Sequence, residues 1–482
     1  MMPDPRPAGV AAFVLLAVVS QGAWSQEYAR ARAEAVAETL PRLEALASWA
    51  ESVKLLRERD RAYADILAVD PEHAAAREAL QYRRETDGSW KQSAAYREPK
   101  NGIPAPLAEY AKRRSAAVAP FLDKVFAAIE AERNIAAPQD TRARIASLSR
   151  LAPDDPRVRQ GLGETRVKDQ WVLSETVSAI ERRKALAKLA KACVDGLGKV
   201  EDATLTPLEE ASGVKWTFKK QTSGVKIIAA APAAEAERAL RVTDATHRFL
   251  VQALAIEGNR WPNLTVVLFA KPEEGHVFVK AHPHAQEYVR ADPEQFASAW
   301  IWKTSHLVAY YADEKIRLHN VSCRATGTSL SSIFNLVEEQ GALYNGVIVY
   351  VTAMLSGIRL PSYGLSPDNT AAETAFHVRL HDDPKVDWLK LAVTTAQEKR
   401  ASALEVLLGR PAHLLTGPDG LISWAFASYL FEARHESAAA FLRVAATAGA
   451  AKAAQDALGM PIPVLDQHFR RWVQETAQLG SK

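Results

Sequence analysis

The sequence predicts an α+β chain, predominantly helical, with a helical repeat-like region ahead of a mixed domain. Three observations carry this. From Gln26 to about Arg183 the chain is rich in Ala, Glu, Arg and Leu, with apolar residues every three or four positions, the period of amphipathic helices. Near Val200 short β-rich runs take over, above all Val225–Ala230 and Leu264–Phe269. After Ser329 the chain reads as mostly helical again. At 482 residues it is too long for one ordinary core. The expected division is a leader over 1–25, a helical region over 26–200 and a mixed domain over 201–482.

The N-terminus reads as a secretory signal peptide. Arg6 precedes an apolar run from Ala8 to Val19, too short to span a bilayer comfortably. Ala23-Trp24-Ser25 then places small residues at the −3 and −1 positions of a cleavage site. An uncleaved anchor is the alternative. No later segment reads as a membrane span, so an exported protein is expected, periplasmic or extracellular. The 60 basic residues nearly balance 57 acidic ones, and a net charge of +3 leaves no electrostatic footprint for nucleic acid. The two cysteines, Cys193 and Cys323, could form one bridge after export or stay as thiols.

Within the helical region, Tyr63 to Val69 reads as the end of a helix. Asp70-Pro71 then reads as the cap and first residue of another, which runs through Arg77 and Leu80 toward the Asp87-Gly88 turn and Trp90. The pattern returns about eighty residues later. Asp155-Pro156 is followed by Arg159, Leu162, Arg166, Asp169 and Trp171 at nearly the spacing of Arg77, Leu80, Arg84, Asp87 and Trp90. That is an internal duplication. The Leu-x-x-Asp-Pro junction resembles the seam between tetratricopeptide-type units; a plain helical bundle is the alternative. Asn101 to Pro106 reads as a loop between the copies. The Arg182-Arg183-Lys184 cluster reads as a solvated helix face.

In the mixed domain, Lys215–Lys220 and Val225–Ala230 flank Ser223-Gly224 as a hairpin, and a helix follows over Ala233–Ala255. Leu264–Phe269 is a continuous apolar run, the mark of a buried strand. His306–Tyr311 and Lys315–His319 read as further strands. The stretch from Ser331 to Thr374 is apolar and almost uncharged after Glu339, so it reads as a central helix ending in the Leu360-Pro361-Ser362-Tyr363-Gly364 turn. Asn263-Leu-Thr265 and Asn320-Val-Ser322 match the glycosylation sequon, a pattern common by chance.

This order of elements, closed by Trp424–Leu430, Ala440-Phe441-Leu442, Leu458-Gly459 and His468–Trp472, resembles gluzincin-like peptidase domains of the peptidase-MA type. Such domains often follow tetratricopeptide repeats in exported bacterial proteins, and the resemblance covers about Gly213 to Thr476. It implies His-Glu-x-x-His on a helix, with two imidazoles on zinc and the Glu as general base, and a further Glu ligand downstream. By position the first motif would lie near Tyr350–Met354, where no residue can replace imidazole. The downstream segment has Ser366-Pro367 where Glu-Gly would stand. His435-Glu436 is the only His-Glu pair in the chain, and position 439 is Ala.

Other chemistry is thin. His377 and His381 have the i, i+4 spacing and Glu373 precedes them by a turn, so on one helix the three are candidate metal ligands. Val378 stands where a general base belongs, and two surface histidines are the plainer reading. His282-x-His284 reads as a solvated loop pair. Glu338-Glu339 diverge on a helix and cannot face each other as an acid/base pair. Trp300, Trp302, Tyr310 and Tyr311 could line a groove or fill a core. No G-x-S-x-G elbow, Walker loop or G-x-G-x-x-G is present. The expectation is a non-catalytic binding protein on an inactivated zinc-peptidase frame, with a protein or peptide partner, no cofactor and no catalytic residue. The alternative is a zinc-dependent hydrolase using Glu373, His377 and His381.

Overall fold

The structure, a computed structural model, describes residues 26–102, 106–132, 138–257, 263–359, 380 and 386–480. These residues form a predominantly helical α+β fold with three small sheets. Contacts divide the chain into two compact units, Met1–Trp171 and Val172–Lys482.

The first unit contains α1 (Gln26–Ser52), α2 (Leu56–Val69), α3 (Ala74–Ala79), β1 (Tyr82–Arg84), β2 (Trp90–Gln92), α4 (Leu107–Ala131), α5 (Pro138–Leu148), α6 (Pro156–Gly161) and β3 (Glu164–Val167), and its boundary falls within β4 (Gln170–Leu173). Its core joins the apolar stripes of α1, α2 and α4, with Tyr28, Leu43, Ile66, Phe121 and Val125 fully or almost fully buried. The duplication takes a definite form: helix, short helix, then a two-stranded hairpin, twice over. Gln81 and Gly163, each directly after a leucine, both take positive φ, 56° and 82°, and so turn each chain from helix into hairpin.

The two junctions differ from each other. Asp155 caps α6 as the sequence indicates, its carboxylate accepting Arg157 N–H at 2.8 Å with Pro156 in the first turn. Asp70 instead closes α2, and His73 caps α3 through Nδ1. The second helix of the first copy does not run on toward Trp90; it stops at Ala79. Arg77 then lies 3.9 Å from the Trp90 ring centroid, a cation–π contact across the hairpin.

The second unit begins with α7 (Ser174–Asp195), β5 (Glu201–Asp202), α8 (Pro207–Ala211), β6 (Phe218–Gln221), β7 (Val225–Ala230), α9 (Ala233–Ala253) and β8 (Leu264–Phe269). It continues with α10 (Pro272–Ala281), α11 (Glu287–Ala291), β9 (Ser298–Ile301), β10 (His306–Ala309), α12 (Glu314–Phe334) and α13 (Gly341–Ser356). It closes with α14 (Trp388–Gln397), α15 (Leu404–Leu407), α16 (Gly417–Glu432), α17 (His435–Ala448), α18 (Ala450–Leu458) and α19 (Ile462–Leu479). Six strands form one sheet in the order β5-β6-β7-β8-β10-β9. The β7/β8 and β8/β10 pairs are parallel and the others antiparallel, so the short strand β9 is an edge.

Alternation along the central strands sorts the two faces. Val225, Ile227, Val266, Leu268 and Leu307 pack with Val321 and Ala325 of α12 and with α9. Ile228, Val267, Phe269 and Val308 pack with Phe278 and Val279 of α10. Apolar residues on both faces explain why Leu264–Phe269 lacks polar alternation. The largest core joins α7, α9, α13 and the C-terminal helices. Helix α13 reaches α16 closely because residue 346 is glycine: a Cβ there would stand 2.2 Å from the Ser423 carbonyl oxygen.

Two expectations for this unit are corrected. The run from Ser331 toward Leu360 is not one helix. Asn335 takes the left-handed conformation (φ 58°) that ends α12, and α13 starts only at Gly341. The turn proposed at Leu360–Gly364 lies outside the described residues. Lys315–His319 is helix rather than strand. The Asp313 carboxylate accepts Lys315 and Ile316 N–H, starting α12 there, and a run of five residues cannot separate a period of 2 from one of 3.6.

Candidate functional site

Helix α12 follows the sheet directly and carries His319-Asn320-Val321-Ser322-Cys323. The four-residue spacing puts His319 and Cys323 on one face. Their side chains meet, with Cys323 Sγ 3.3 Å from His319 Nε2 and 3.8 Å from Thr352 Oγ1 on α13. His319 and Thr352 are buried and Cys323 is partly exposed. Burial pushes the Cys323 thiol up to about 12, so it is a neutral thiol at pH 7 and a poor nucleophile. Asn320 occupies the position after the histidine. Its Nδ2 is buried without a hydrogen-bond partner, which removes it as a glycosylation site. An amide there cannot take a proton from water.

The next residue, Arg324, ties this helix to the sheet edge. Its guanidinium lies 5.0 Å from the Trp300 ring centroid on β9. Trp300 and Trp302 meet edge to face at 5.8 Å, and Trp302 is exposed. The Arg324 side of α12 therefore sits beside this aromatic strand edge, while His319 and Cys323 face Thr352 of α13.

No family model, no curated protein and no solved structure matches the chain.

A second feature lies along α13. Tyr350, Met354 and Arg359 line a cleft of about 410 Å³ with Trp388 and Trp424. Glu432 at its base is buried and is held by Arg183 through contacts of 2.7 to 3.0 Å, with the Tyr350 hydroxyl donating at 3.2 Å. Burial raises the Glu432 carboxyl, while the Arg183 charge opposes the rise. Burial and the Glu432 charge push the Tyr350 hydroxyl well up. These groups satisfy one another, so the arrangement is a structural tie. Arg183, expected on a solvated face, instead compensates this buried acid.

Glu373, His377 and His381 lie outside the described residues, as do Ser366 and Pro367. Among the described residues, no group of three or more His, Cys, Asp or Glu side chains could hold a metal ion. Tyr350–Met354 lies in α13, not on the helix that follows the sheet. Glu338 and Glu339 are exposed in the turn before it. Cys193 and Cys323 are both free thiols. Tyr310 is core and Tyr311 surface, so the aromatic group does not act as one set. His282 is buried rather than solvated, packed against His306. Sequence reasoning passed over the pairing of His319 with Cys323 because Lys315–His319 read as strand. A histidine and a cysteine four apart is the signal that a helix reading would have exposed.

Proposed function

We propose that the Val172–Lys482 unit is a non-catalytic binding domain on a zinc-peptidase-like frame, in an exported protein, taking an extended protein or peptide segment alongside β9. The observation that carries it is the composition of α12. The helix following the sheet has His319 and Cys323 one turn apart, where the peptidase resemblance calls for two histidines, and Asn320 where it calls for the general base. The amide at that position cannot take a proton from a metal-bound water. What persists beside α12 is an edge strand with unpaired backbone groups and the Trp300–Trp302 pair, the means by which strand addition captures an extended segment. Among the described residues no helix is long and apolar enough to cross a membrane.

The test uses the chain from Gln26 onward. Random decapeptides displayed on phage are selected against it, and the tightest are remade with alternate backbone amides methylated. Strand addition uses main-chain hydrogen bonds, so affinity should fall about tenfold or more. Unchanged affinity would remove this mode of binding. Elemental mass spectrometry on the same sample covers the alternative: near-stoichiometric zinc with peptide cleavage would replace the binding reading with a hydrolase.

A further inference from the structure

The other face of the sheet holds a buried polar cluster that the proposed function does not use. Glu209 on α8 is fully buried. Its Oε2 accepts from Lys226 Nζ on β7 and from the Thr206 backbone N–H, both at 2.6 Å. Its Oε1 stands 3.3 Å from His306 Nε2 on β10, and His306 Nδ1 is 2.8 Å from the Thr304 carbonyl oxygen. Carboxylates and carbonyls only accept, so an imidazolium satisfies both contacts at once. Burial by itself would raise the Glu209 carboxyl. The hydrogen bonds from His306, Lys226 and Thr206 outweigh it and hold the group down at about 2.

His282 caps the C-terminal end of α10, with its ring centroid 5.6 Å from that of His306 and only 1% of its surface exposed. Its Nδ1 accepts the His284 N–H at 3.2 Å, so the neutral ring carries its proton on Nε2. That nitrogen is buried with no partner. This tautomer keeps Nε2 from binding a metal ion. A second proton must therefore go to Nδ1, breaking the bond to His284 and adding a cation beside His306 and Lys226 with only Glu209 to balance it. Among the described residues, the remaining charged and titratable neighbours offer no further anion to the ring. His284 is exposed, Tyr310 donates its hydroxyl to the Pro293 carbonyl, His276 packs edge-on against Tyr310, and Glu294 is paired with Lys280.

The Ala285 N–H donates to the His282 carbonyl at 3.2 Å, so the ring bond to His284 lies inside a His282–Ala285 turn. We propose that His282 is an acid-operated release for α10: protonation of its ring breaks the bond to His284, opens this turn and frees α10 from the sheet while the rest of the unit stays folded. Burial, then the charges of His306 and His284, lower the ring to about 4 from its ordinary 6.5. The open form binds the proton more readily, so the closed form is at full strength above about pH 6.5. It weakens as pH falls, roughly tenfold per unit, by about 300-fold in all once pH drops below about 4.

Amide hydrogen exchange on the chain from Gln26 onward, followed by mass spectrometry between about pH 7 and pH 4 and corrected for intrinsic rates, reads this directly. Peptides covering α10 and His282–Ala285 should lose roughly tenfold protection per pH unit, while those covering α12 and α13 hold theirs. The His282→Gln variant keeps an acceptor for His284 and takes no proton, so its profile should be flat. A slope unchanged in the variant, a slope shared by the whole unit, or no slope in the parent chain overturns the proposal. If the variant does not fold, an NMR titration of the His282 ring in the parent chain decides, a midpoint below about 5.5 supporting the release and one at or above it excluding it.

Discussion

The two faces of the central sheet carry histidines in opposite electrical settings. On the α12 face, His319 meets a thiol that burial keeps protonated, with an amide in the following position. On the α10 face, His306 meets a carboxylate held ionised by three hydrogen bonds, and His282 is kept neutral beside it. The ring is the same in all three places. What differs is the group each ring is seen to meet, a protonated thiol for His319 and an ionised carboxylate for His306. The ionised acid is on the α10 face.

The sharpest way to break this comparison is Glu209→Gln. It leaves Lys226 and His306 buried without their anion, which should cost about 3–5 kcal/mol in urea unfolding, whereas Asn320→Ala on the other face should stay within about 1 kcal/mol. Equal losses from the two would dissolve the contrast. Alkylation of Cys323 probes the inert face next. With its thiol pushed up to about 12, reaction with iodoacetamide at about pH 8 should run on the order of 10³-fold slower than in urea-unfolded chain. Matching rates would mean a reactive thiol and a functional α12.

The smallest effect compares how tightly each face is packed. A Cβ at Gly275 on α10 would stand 2.3 Å from Tyr310 Cβ, an atom fixed to the backbone directly after β10. A Cβ at Gly327 on α12 would stand 2.2 Å from the Tyr344 hydroxyl, the far end of a side chain that can move. Gly275→Ala should therefore cost about 1–3 kcal/mol and Gly327→Ala less than about 1 kcal/mol by the same unfolding assay. The reverse order would show that α10 is the looser helix.

Much of the fold was legible before any coordinates. The Val225–Ala230 and Leu264–Phe269 strands, the helix from Ala233 and the Asp155 cap are local patterns, and local patterns survive folding when nothing distant opposes them. The misread segments share a cause. Lys315–His319 is too short to declare a period, and Asn335 breaks an apolar run by a backbone conformation that its neighbours do not announce. The candidate site was hardly legible at all. Reading Lys315–His319 as strand hid the four-residue spacing that brings His319 and Cys323 together on α12.

The sequence alone determined that this is a predominantly helical α+β chain with a duplicated first half and a mixed second half, because periods of 3.6 and 2, caps and turn residues act over a few positions. Only the tertiary structure decided that α12 is the helix meeting the sheet edge, that Arg183 answers Glu432 across 249 positions, and that Glu209 and His306, 97 positions apart, share one buried site with His282. Charge state and reactivity depend on which distant groups are brought within a few ångströms in a medium poor in water, and no local pattern encodes that.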